Sequence, residues 1–116
     1  MPQGRGTQEC IKLCGECRTE CHDTLFNHCL EKGGKLVAKE HVTLMVDCIQ
    51  ACKTAEGFMT RGSRLHTVEC AACAEVCDAC AESCEKIGDA EMKRCAEICR
   101  RCAQSCREMG KMRKAA

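Results

Sequence analysis

Polar and nonpolar positions along this chain alternate with the period of an α-helix, and the residue that recurs at the inward positions is cysteine. Cys70, Cys73, Cys77, Cys80 and Cys84 step by threes and fours, and Cys95, Cys99, Cys102 and Cys106 repeat the pattern. A helix turns once in about 3.6 residues, so these steps place every thiol on a single face. The same period links Cys10, Cys14, Cys17 and Cys21 to Leu25 and His28, and it links Ala38, His41, Met45, Cys48, Cys52 and Ala55. His66 precedes the third run, and Met92 and Met109 bracket the fourth. Four helices are predicted over about 8–32, 36–56, 64–87 and 89–112. Thr7, Ser63 and Asp89 offer N-caps, while Gly33-Gly34 and Gly88 are placed to end helices. Residues 57–62 read as a turn, with Phe58 and Met59 folded back over one end of the assembly. Met1–Gly6 reads as a frayed lead and Lys111–Ala116 as a loose basic tail. Short connections make successive helices antiparallel neighbours. The expected fold is all-α: one domain spanning 1–116, an antiparallel up-down-up-down four-helix bundle with a cysteine-lined core.

Composition sharpens this picture. Cysteine supplies 16 of 116 residues, whereas Leu, Ile, Val and Phe together supply only 17. So small an aliphatic content indicates disorder when net charge is high, but here the formal charge is +1. The chain must fold around something other than an aliphatic core. An even cysteine count suggests disulfides in a short secreted protein. Met1–Thr7, however, has no apolar stretch, twin arginine or small-residue cleavage site, and thiols on one helix face project in parallel rather than toward one another. Reduced thiols in the cytosol, poised to bind metal, are the expectation. No stretch is long and apolar enough to cross a bilayer as a helix.

Seven C-x3-C pairs occur: Cys10/Cys14, Cys17/Cys21, Cys48/Cys52, Cys73/Cys77, Cys80/Cys84, Cys95/Cys99 and Cys102/Cys106. Their Cβ atoms lie about 5–6 Å apart on a helix. A soft cation with bonds of roughly 2.2–2.3 Å spans such a pair in near-linear coordination, and Cu(I) is the biological ion that best combines softness with thiolate preference. Charge points the same way. About one Cu(I) per sulfur neutralises the buried thiolates, whereas four ZnS₄ sites on sixteen sulfurs would leave about −8, with no Lys or Arg on the seams to offset it. Fifteen cysteines, Cys70 included, thus form the expected metal-binding set. Cys29, one residue off the seam position of His28, is expected to be peripheral. His28, His41, Met45 and Met92 should gather at the bundle end with the first and third connections, and His66, Met59 and Met109 at the other. Either set could form a metal mouth, although methionines also serve simply as gap-fillers.

The segments ECIKLCGECRTEC, DCIQAC, ECAACAEVCDACAESC and RCAEICRRCAQSC, spread over residues 8–110, resemble the copper storage proteins, specifically their cytosolic bacterial branch. That resemblance implies a tetrameric four-helix bundle whose cysteine-lined core holds many Cu(I) ions. It also implies a role in sequestering cytosolic copper, and a copper donor or acceptor protein would be its natural partner. The chain departs from the family pattern by placing Leu25, His28 and His41 where further thiols are expected. A zinc or cadmium store of metallothionein-like role is the nearest alternative. Iron–sulfur ligation lacks the C-x2-C-x2-C-x3-C run, and no phosphate loop, G-x-S-x-G or H-E-x-x-H suggests an enzyme. Helix 4 carries Lys93, Arg94, Arg100, Arg101, Arg107, Lys111, Arg113 and Lys114, which raises a metal-responsive nucleic-acid-binding module. With no Tyr or Trp and two Phe, such recognition has poor material. Helix 3 bears Glu75, Asp78, Glu82 and Glu85 at helical spacing, a complementary acidic stripe that neighbouring helices or subunits could pair or that is simply solvated.

Overall fold

Among residues 5–112, which the computed structural model describes, four long helices form an antiparallel bundle without strands. Helix α1 (5–32) is α-helical over Arg5–Thr24, π-helical over Leu25–Cys29, and closes with Leu30–Lys32. A 3-10 turn, Gly34–Val37, leads into α2 (Lys39–Thr60), followed by α3 (His66–Ile87) and α4 (Ala90–Lys111). Each helix packs on its sequence neighbours, and α1 also packs on α4, closing a four-sided ring. The bundle measures 50 × 19 × 18 Å.

The helix ends follow local chemistry, with several shifts from expectation. The Asp89 carboxylate accepts the Met92 amide at 2.8 Å and caps α4. Gly88, at φ 80°, ends α3 and donates its amide to the Cys84 carbonyl at 3.0 Å; the left-handed conformation there favours glycine. Thr7, by contrast, is no cap. The first helix already includes Arg5, and the Thr7 hydroxyl reaches the Met109 sulfur at 3.7 Å. Helix α2 runs through the predicted turn at residues 57–62 as far as Thr60, so Phe58 and Met59 are helical and Met59 continues the buried seam. Ser63 holds the next start through its hydroxyl, which accepts the Leu65 amide at 3.1 Å, but α3 begins only at His66. Ala38 is exposed at the head of α2, and Leu36 is buried in its place. The expected lead before Arg5 and the tail beyond Met112 lie outside the described residues.

Packing of α3 on α4 is the most extensive helix contact. Ala74 and Ala81 on α3, and Ala96 and Ala103 on α4, are buried beside the cysteines at seven-residue spacing. Their small side chains let the two helices approach closely. Near one end a Cβ on Gly110 would lie 3.1 Å from the Ala71 Cα, so the backbones there are nearly in contact. Outside, Arg100 pairs with Asp78 at 2.9 Å and Glu85 at 2.8 Å, and Arg107 also reaches Asp78. Part of the acidic stripe on α3 is therefore matched by basic groups of α4 within the chain. These exposed pairs contribute little individually but agree with the observed register.

Candidate metal centre

All sixteen cysteines are free and fully buried. The inward face of each helix contributes thiols at several levels, and the antiparallel register brings them into one column. At one end Cys10 touches Cys106 at 3.6 Å, and Cys106 touches Cys14 at 3.6 Å. The column continues through Cys102–Cys52 at 3.8 Å, Cys52–Cys77 at 3.7 Å, Cys77–Cys48 at 3.7 Å and Cys48–Cys17 at 3.7 Å. Cys21 then contacts Cys99 at 3.5 Å and Cys95 at 3.6 Å, while Cys80 joins Cys99 at 3.9 Å. Cys73 lies 3.8 Å from Cys77, and Cys70 and Cys84 are buried on the same face of α3.

The sulfur connections differ from the expected ladder. Cys73/Cys77 and Cys102/Cys106 are C-x3-C pairs in direct contact, at 3.8 and 4.0 Å; most other close contacts join different helices. A linear two-coordinate ion needs about 4.5 Å between its sulfurs, and a tetrahedral site about 3.8 Å, for bonds near 2.3 Å. Separations of 3.5–4.0 Å are thiol contact distances, so spacing alone does not select the metal. Connectivity does more. The four-sulfur groups are Cys14/Cys73/Cys102/Cys106, Cys17/Cys21/Cys48/Cys99, Cys17/Cys48/Cys52/Cys77 and Cys52/Cys73/Cys77/Cys102. Any two that share no sulfur exclude the other two, so these groups cannot all be separate zinc tetrahedra. Shared corners suit a continuous file of bridged monovalent ions. Among the described residues the buried polar side chains are Thr24 and His41, so neither Lys nor Arg neutralises the thiolates.

Proton sharing along the column splits the thiols. Cys48 is lowered by hydrogen bonds from Cys17 and Cys21, whereas Cys99 is raised by its bond to Cys17. The protons belong to the network rather than to single residues, and an entering cation displaces them.

The first-connection end holds the main correction. Cys29 is not peripheral: it is fully buried, its sulfur 3.9 Å from His41 Nε2 and 3.9 Å from the Met45 sulfur. The cause is the π-helical turn, in which the Leu30 amide reaches back five residues to the Leu25 carbonyl. Such a turn absorbs one extra residue, converting the steps Cys21–Leu25–Cys29 into a continuous inward line. His28 is correspondingly rotated off the seam, where Nε2 meets the Asp89 carboxylate at 3.0 Å. The 4-4 spacing of Cys21, Leu25 and Cys29 was the available signal. Burial pushes the Cys29 thiol up to about 11, helped by the negative charge of neighbouring Cys95 and Asp89. Burial lowers His41 and keeps it neutral. Its Nδ1 is held by the Ser83 hydroxyl at 2.7 Å, which fixes the ring with Nε2 toward Cys29. A groove of about 370 Å³ between α2 and α3 reaches His41 and Ser83 from the surface and carries Lys35, Glu40, Glu82 and Lys86 among its lining. Met45 and Met92 are fully buried.

A sequence model of copper storage proteins matches residues 3–111. The chain belongs to the copper storage protein family. A crystal structure of a protein from Nitrosospira multiformis is 44% identical, with a TM-score of 0.87 over 91% of this chain and 95% of that one. Cu(I)-bound copper storage protein BsCsp3 is 29% identical, with a TM-score of 0.84 over 91% and 99%. Apo copper storage protein 3 from Bacillus subtilis is 32% identical, with a TM-score of 0.81 over 90% and 98%. No curated protein matches significantly. For this member of the copper storage family, the expected bundle with a cysteine-lined interior is the fold observed. No described helix is long and apolar enough to cross a membrane.

Proposed function

We propose that this chain stores many Cu(I) ions as cargo in its sulfur column, on the order of one per thiol, and so sequesters copper in the cytosol. The observation that carries this reading is the convergence of sixteen buried free thiols in a family of copper storage proteins, one of whose members is known with Cu(I) bound. The ligands are Cys10, Cys14, Cys17, Cys21, Cys29, Cys48, Cys52, Cys70, Cys73, Cys77, Cys80, Cys84, Cys95, Cys99, Cys102 and Cys106. Cu(I) fits their softness, and one monovalent ion per thiolate leaves the interior neutral. A homotetramer and a thiol-bearing copper donor or acceptor complete the proposal.

Ions enter at the end built from Cys29, His41 and Met45, where a surface groove meets an imidazole. Imidazole and thioether bind Cu(I) less tightly than thiolate, so an ion held there passes inward by ligand exchange. Anaerobic titration of the reduced protein, followed by metal analysis, tests storage: retention of only a couple of ions per chain refutes it. The same titration with zinc examines the rival zinc-store reading. For the mouth, the double variant His41→Ala/Met45→Ala should change loading or release rates more than final uptake. Unchanged kinetics would remove that assignment.

A further inference from the structure

At the opposite end of the column one polar atom has no assigned use. His66 Nδ1 lies 2.9 Å from the Ser63 carbonyl oxygen. A carbonyl only accepts, so the ring proton sits on Nδ1 and Nε2 carries a bare lone pair. That Nε2 is buried and has no hydrogen-bond partner. An unmet buried acceptor is destabilising, and native structures rarely retain one without a reason.

His66 stands four residues before Cys70 on α3, so the pair repeats the spacing of the C-x3-C pairs with imidazole in place of the first thiol. Cys70 is fully buried, and its thiol is raised chiefly by neighbouring Cys10, one of the thiols that begin the column. The same end holds Met109, 5% exposed, and Met59, 1% exposed.

We propose that His66 Nε2 and Cys70 Sγ form a terminal site for a soft monovalent cation, Cu(I), closing the column opposite its mouth. The proposal deepens the storage reading and rests on it. Uptake exchanges the Cys70 thiol proton for the cation: the S–H bond breaks, Sγ–Cu and Nε2–Cu bonds form, and a proton leaves to solvent with no change of oxidation state. A thiolate, a neutral imidazole and one Cu(I) sum to zero charge, whereas a lone two-thiolate pair with one ion keeps −1. An imidazole is thus suited to end a file of bridging thiolates without stranding charge. The two end histidines differ in support. His41 is held by a hydroxyl beside a surface groove, while His66 is held by backbone at a helix start. The former suits exchange and the latter a stop.

The test is long-range ¹⁵N NMR of the imidazoles in the full reduced chain, before and after saturation with Cu(I) from a buffered chelate. In the apo protein the His66 Nδ1 should carry a proton, held by the Ser63 carbonyl. On saturation its Nε2 resonance should shift while the Nδ1 proton remains. A fully loaded chain in which Nε2 is unmoved, as it would be if a buried water satisfied it, overturns the proposal alone. A chain that takes up no Cu(I) refutes it together with the storage reading. Independently, His66→Phe should lower saturating uptake by about one ion, the share of one two-ligand site, and His66→Met, which restores a soft donor, should recover it. Equal uptake by wild type and both variants overturns the site, and the NMR arm decides if either variant fails to fold.

Discussion

Removing four of the five sulfurs on one wall of the column is the most informative perturbation. The quadruple variant Cys73→Ala/Cys77→Ala/Cys80→Ala/Cys84→Ala deletes four of sixteen buried thiols. Each loses one core heavy atom, comparable to Ile→Val at about 0.5–1.5 kcal/mol, so the sum is near 4 kcal/mol. At about 0.05–0.15 kcal/mol per residue, a chain of 116 residues has roughly 6–17 kcal/mol of stability, and the apo bundle should remain folded. The surviving thiols keep partners on the other helices: Cys48 retains Cys17 at 3.7 Å, Cys52 retains Cys102 at 3.8 Å and Cys99 retains Cys21 at 3.5 Å. Copper capacity should therefore fall by about a quarter, in proportion to the sulfurs lost. The assay is anaerobic loading to saturation, desalting and metal analysis, with helical circular dichroism as the fold control. Unchanged capacity would show that the α3 thiols are not ligands. Collapse of uptake to near zero with helicity intact would replace an additive store with a single all-or-none cluster.

Deleting Asn27 should convert the π-turn into regular α-helix while leaving Cys29 inward and His28 beside Asp89; loss of copper capacity on deletion would contradict this account of the register. Gly110→Ala forces a methyl against the Ala71 backbone and should cost about 1–3 kcal/mol, seen as a lower midpoint in apo thermal melts; an unchanged midpoint would mean that α3 and α4 separate freely there. The Asp89 carboxyl is held below its usual value by the Met92 amide and then by His28, so its contribution is complete above the ordinary aspartate range and is lost as pH falls through the depressed folded value. Asp89→Ala should destabilise the apo protein by about 1 kcal/mol at neutral pH, with the difference from wild type vanishing in acid; a constant difference at all pH values would remove the carboxylate from the cap. Copper affinity should weaken as pH drops, because each ion displaces thiol protons, and chelator competition at several pH values measures it.

The three- and four-residue steps by themselves determined which face of each helix carries sulfur, because about 100° per residue is a property of the helix and needs no neighbour. Short connections then left little freedom in how successive helices could run, and the Asp89 cap and the Gly88 terminus were equally local. At Cys29 local reasoning could not choose. From Cys21 and Leu25, a regular helix continues to His28 and a π-turn continues to Cys29; tertiary packing selected the second. Burying a neutral thiol among Met45 and His41 is cheaper than burying an imidazole, and His28 gains the Asp89 carboxylate outside. The partnering of sulfurs was beyond the sequence for a related reason. Distances across the column depend on how closely helices approach and slide past one another, which Ala74, Ala81, Ala96, Ala103 and Gly110 set collectively. The lone pair on His66 likewise emerged only when α3 began there rather than at Arg64, since that start ties Nδ1 to the Ser63 carbonyl.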